Sequence, residues 1–122
     1  MPAPHQQRPP TTNPAQQALA GRVRTALPTG RTVREVAMFG GRAFMLDEAM
    51  LVSVGKDGDM LVRIDPARHD ELTNLPGARH ALMGVDRRMG PGWIAVDTSG
   101  LDTDVQLAFW LELALQHHSK AS

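Results

Sequence analysis

The side chains able to do chemistry in this 122-residue chain are few and scattered. Five histidines stand at His5, His69, His80, His117 and His118, and cysteine is absent. Without thiols, disulfide frameworks, iron–sulfur centres, zinc ribbons and cysteine nucleophiles are excluded. No HExxH motif or paired helical spacing occurs, so no metal ligand is assigned. His117 and His118 adjoin at the end of a predicted helix, where they complement its negative pole. His69, beside Asp70 and Glu71 on a short polar helix, is expected at the surface. Ser53 and Ser99 are the nucleophile candidates outside the tails, and neither sits in a GxSxG elbow. Asp47, Glu48, Asp57 and Asp59 read as turn residues; "DGD" resembles part of a calcium loop without its spacing or terminal glutamate. The pattern names no catalytic residue, no cofactor-binding residue and no cofactor.

The stretch "AMFGGRAF", residues 37–44, raises a second chemistry, phosphate binding. A dinucleotide fingerprint needs spaced glycines between a strand and a helix N-terminus, and a P-loop needs Lys-Ser or Lys-Thr after its last glycine. Here Gly40 and Gly41 are adjacent and "RAFML" reads as a second strand. The pair therefore predicts a turn or bulge between two strands.

Charge is balanced but unevenly placed. Residues 1–42 hold six arginines against the single acid Glu35, and the remainder holds seven basic and twelve acidic residues, about +5 and −5. Arg22, Arg24, Arg31 and Arg34, with Arg87 and Arg88 in the loop "DRRMG", are the candidate anion or nucleic-acid contacts. Against that stands a solvated basic face that meets acids of the same fold or of a second subunit. Phe39, Phe44, Phe109, Trp93 and Trp110 lie mostly in apolar contexts and read as core rather than as a base-stacking platform.

These residues need elements to hold them. Length fits one domain with one core. The polar, proline-rich residues 1–14 cannot offset their ordering cost and read as a disordered tail. Leu19, Val23, Ala26 and Leu27 give residues 15–27 helical spacing, with Asn13 and Pro14 as cap and first-turn residue. "TVREVAMF", "RAFML", "AMLVSV" and "MLVRI" follow with the short connections of an antiparallel meander, "GKDGD" being the clearest turn. Asp65 and Pro66 open a helix over about 66–75, one strand is read at Trp93–Val96, and residues 76–92 are otherwise irregular. A closing helix starts after Asp102 or Thr103. Its Leu107, Trp110, Leu111, Leu113, Ala114 and Leu115 cover more than one face, while Asp104, Glu112 and Gln116 mark a narrow polar stripe. That width suggests a second covering surface, and a two-fold homodimer is one way to supply it. No run is long enough to span a bilayer and the N-terminus lacks an apolar signal core, so a cytoplasmic address without membrane association is expected.

"MFGGRAFMLDEAMLVSVGKDGDMLVRIDP", with the later "MGPGWIAVD" and the apolar closing helix, resembles the TfoX/Sxy N-terminal domain family. The likeness spans roughly residues 15–118, leaving 119–122 as a second tail and making this a short, stand-alone member. It implies an α+β fold: an antiparallel β-meander sheet packed by N-terminal, middle and C-terminal helices. It also implies a bacterial, non-enzymatic transcription co-regulator of the kind that controls competence genes. The family-motif residues here are Met38, Phe39, Gly40, Gly41, Phe44, Arg63, Asp65 and Trp93. Most read as fold determinants. Arg63 is the one with a partner or ligand role in view, against a strand-end ion pair to Asp65 or Glu35.

Three functions follow in order: a regulatory or adaptor domain acting through a protein partner; a direct nucleic-acid binder, or a protein associated with nucleic-acid methylation; and a small-ligand or enzymatic domain.

Overall fold

Helix and strand residues alternate in burial with the periods that their sequences carry. The computed structural model describes residues 14–27, 32–38, 40–82 and 89–121; for Met38 and Ala121 only the main chain is described. The tail 1–13, the Asn13 cap, Arg31, Phe39, Arg87 and Arg88 lie outside the described residues.

Helix α1 (Pro14–Ala26) buries Gln16, Leu19, Ala20 and Val23, a single helical stripe. Four strands follow in order: β1 (Val33–Met38), β2 (Gly41–Leu46), β3 (Ala49–Val54) and β4 (Met60–Arg63). After a 3₁₀ turn, Pro66–Arg68, come the short α2 (His69–Leu72), then β5 (Ala78–His80) and β6 (Trp93–Val96). Helix α3 (Asp104–Ala121) closes the chain and runs past position 118. The result is the α+β architecture that the motif residues implied.

The sheet has six antiparallel strands in the order β1-β2-β3-β4-β6-β5. The first four form the meander that turn chemistry predicts. The last pair departs from chain order: β6 adds to β4, and β5 becomes the outer edge. β5 is the strand that sequence reading misses. "ARH" is three residues long, and Arg79 is exposed, so it carries no apolar alternation.

Phe44, Val52, Val62 and Ile94 lie opposite one another in register and so share one face. Each is at most 1 % exposed, and they join α1, α2 and α3 residues in one core. A register shift at Phe44/Met45 pairs Phe44 with Val52 and Met45 with Met50, leaving Leu51 as the extra residue of a bulge. The bulge lets consecutive residues Leu51 and Val52 both bury.

Helix ends are set locally. Asp65 accepts from the main-chain N–H of Ala67 at 3.0 Å and precedes Pro66, as predicted, although a 3₁₀ turn and one α turn replace the ten-residue helix. Thr103 is the cap of α3: its Oγ1 accepts from Gln106 N–H at 3.1 Å, and Gln106 Oε1 accepts from Thr103 N–H at 2.9 Å. That reciprocal pair is a capping box. Farther on, Gly77 has φ +77°, and a Cβ there would stand 2.7 Å from the Cα of Gly100. Two main chains meet at that point, and only glycine leaves the room.

Candidate functional site

Arg63 and Trp93 end up together because β4 ends where β6 begins, and the register pairs them directly. They are thirty positions apart in sequence, so only the sheet order makes them neighbours. The guanidinium carbon lies 5.9 Å from the Trp93 ring centroid, a cation–π contact. Neither predicted ion-pair partner is available: Glu35 binds Arg24, and Asp65 binds Lys120 Nζ at 3.0 Å. Among the described residues no carboxylate pairs with Arg63.

A cleft of about 250 Å³ opens beside Arg63, between the β2–β3 turn, β3 and the last turns of α3. Asp47, Met50, Leu51, Ala114, His117 and His118 line it with Arg63. Burial holds the His117 imidazole below its usual pKa, and the positive charge of Arg63 adds to that. Lys120 and His118 push the same way and Asp65 opposes them. Asp65 is itself held below the usual carboxylate range, first by the Ala67 N–H and then by Lys120.

His118 does not merely offset the helix pole, as its position suggests. It is buried, and its Nε2 lies 3.1 Å from Asp47 Oδ2, tying α3 to the β2–β3 turn. His69 likewise departs from its expected surface place and is 6 % exposed. Gly92 N–H donates to His69 Nδ1 at 3.2 Å, and His69 Nε2 lies 3.0 Å from His80 Nδ1. With Nδ1 accepting, the neutral His69 ring carries its proton on Nε2 and donates it to His80. The two rings stack at 5.0 Å, so the pair locks α2 to β5 and to the entry of β6. Sequence reading misses this because the partners, at 69, 80 and 92, lie in three different segments.

A second surface lies on the opposite half of α3. Val105 is 80 % exposed and Phe109 41 % exposed. With Leu75, Pro76 and Trp110 they border a shallow apolar cleft of about 280 Å³. Phe109 therefore corrects the reading of the aromatics as core. Leu107, Trp110, Leu111, Leu113 and Ala114 do bury, but within this one chain. Leu115, the remaining residue of that arc, is partly buried against the same core.

The described candidate arginines are each beside an acid. Arg22 meets Asp104 at 3.5 Å and Arg34 meets Glu48 at 2.8 Å. Arg24 binds Glu35 through both Nε and Nη2, the latter at 2.7 Å, and the Arg24 donors hold the Glu35 carboxyl below its usual range. Of the motif residues, Met38 and Gly41 pair across the first hairpin, Gly40 turns it at φ +78°, and Phe44 is core. The glycine pair is thus a hairpin device, not a phosphate loop followed by a helix.

Among the described residues no group of three or more His, Asp or Glu side chains stands close enough to hold a metal ion. No described helix is long and apolar enough to cross a membrane.

A six-stranded antiparallel sheet with helices from both ends and the middle of the chain, entered through a Gly-Gly hairpin, defines a small α+β domain. The TfoX N-terminal domain family matches residues 26–118, and the chain belongs to that family. No curated protein matches it.

Proposed function

We propose that this chain is a regulatory or adaptor domain that acts on transcription by binding another protein, in the manner the TfoX/Sxy resemblance implies. The observation that carries the reading is the exposed apolar patch of Val105 and Phe109 on α3, beside Leu75 and Pro76. Exposed aromatic and branched side chains around a shallow apolar cleft suit a protein surface, where burial of one ring contributes about 1.5–3 kcal/mol. The ion pairs of Arg22, Arg24 and Arg34 favour this reading over direct nucleic-acid binding, because those cations are already matched by acids. Self-association through the same patch is the homodimeric form of the interaction, and control of competence genes is its implied setting.

The test compares the wild-type chain with Phe109→Glu in three measurements: partner capture from the native cell extract, light scattering, and titration with duplex DNA at low salt. A captured protein or a dimer mass that Phe109→Glu abolishes, with an unchanged melting temperature, supports the proposal. Duplex binding that weakens steeply with salt while Phe109→Glu has no effect replaces it with the nucleic-acid reading.

A further inference from the structure

We propose that the cleft between β3 and the last turns of α3 binds a small organic carboxylate, its anionic group held by Arg63 beside His117 and its apolar body lying on Met50, Leu51 and Ala114. This site is distinct from the Val105–Phe109 patch and does not depend on it.

The first support is Arg63 itself. A guanidinium carries five N–H donors, and the face of an indole ring offers them no lone pair in the plane of the group. The acids nearest the cleft are committed elsewhere: Asp65 to Ala67 and Lys120, and Asp47 to His118. Arg63 lines the cleft, and its contact with the Trp93 ring leaves its charge unneutralised. A bidentate carboxylate supplies what the fold leaves out.

The second support is the lining. Ala49, Met50, Leu51 and Ala114 give apolar walls, and the volume of about 250 Å³ suits several heavy atoms. Such walls favour an anion with a hydrocarbon body over a fully hydrated phosphate. The third is His117. The charged and titratable groups around it are Arg63 on β4, Asp65 just after β4, Lys120 and His118 on α3, and Asp47 of the β2–β3 turn, which lines the same cleft and pairs with His118. Among them Arg63 opposes protonation most, after burial. An anion placed against Arg63 cancels that opposition, so binding draws a proton onto His117 and strengthens as pH falls from neutral toward the acid range of the ligand.

The experiment is an NMR titration of the full chain with butyrate, hexanoate and inorganic phosphate, following the His117 ring and the Trp93 indole N–H. Hexanoate should saturate, bind tighter than butyrate, and bind tighter at pH 6 than at pH 8. Arg63→Gln should weaken it about tenfold or more, the scale of a charge-assisted hydrogen bond. His117→Gln should keep binding and lose its pH dependence, a readout that mere damage to folding does not produce. Failure of hexanoate to saturate the folded wild-type chain overturns the proposal. Equal affinity for phosphate, or unchanged affinity in a folded Arg63→Gln variant, overturns it as well.

Discussion

The side-chain amide of Gln16 donates to the main-chain carbonyl of Gly40 at 3.1 Å, joining the first turn of α1 to the first hairpin of the sheet. The same Nε2 donates to the carbonyl of Val54 at 3.2 Å, at the end of β3. Gln16 is 4 % exposed. One buried amide thus aligns the family's glycine turn with the third strand.

Gln16→Leu should therefore destabilise the fold by about 1–3 kcal/mol, the cost of leaving buried acceptors without a donor. Gln16→Glu should cost more, because a carboxylate oxygen then faces two carbonyl oxygens. Urea unfolding checks both. A midpoint unchanged in Gln16→Glu would show that the clamp contributes nothing.

The glycines should separate by mechanism. Gly40 has a left-handed φ of +78° but open space, with only Lys56 Cε at 3.8 Å from a Cβ placed there. Gly40→Ala should cost about 1–2 kcal/mol, the penalty for a Cβ in that region. Gly77→Ala adds a collision with the Gly100 main chain and should cost about 3 kcal/mol or more. Equal melting temperatures for the two variants would contradict the close approach.

The second hairpin carries Asp47 at φ +52° and Glu48 at φ +67°, neither of them glycine. Both central positions left-handed is the signature of a two-residue turn that asparagine and glycine usually supply. Glu48→Gly should stabilise the protein by about 1 kcal/mol. The lost Arg34 partner offsets little of this, since both side chains are exposed. Thermal unfolding at moderate salt measures the gain.

Acid should act in two stages. The folded pKa of His117 is depressed, so the unfolded chain binds its proton more readily, and stability falls as pH drops below the ordinary imidazole value of about 6.5. Glu35, depressed by Arg24, contributes stability that is present above the ordinary carboxyl value of 4.5 and lost as pH falls through its folded value. The urea midpoint should then decline from pH 7 to 5 and drop further below pH 4. His117→Gln should flatten the first decline and leave the second.

The elements that depend on near neighbours were legible from residue types. The meander, the Asp65–Pro66 start and the hairpin role of Gly40 all follow from spacing within a few residues, while for α3 spacing leaves Asp102 or Thr103 as cap and the structure selects Thr103. Register belongs to the tertiary structure: the bulge at Leu51 shifts it, so that Phe44 meets Val52 and both bury. The site was legible only in its chemistry. Arg63 is marked by the family motif, with Asp65 or Glu35 as its expected partner, whereas the indole thirty residues on carries no local signal.

Sequence alone determined the antiparallel meander and the inventory of groups, because hydrophobic period and turn chemistry act over short stretches, while its motif residues carried the family and the α+β class. Tertiary structure decided which groups meet. Placing β6 rather than β5 against β4 sets Trp93 under Arg63. Packing of α3 over β3 brings His117 and His118 to the same corner, and docking of α2 buries His69 against His80. These contacts join segments whose separation is set by the order of strands and helices. No local propensity encodes that order; it is fixed by the single arrangement that buries the shared apolar face.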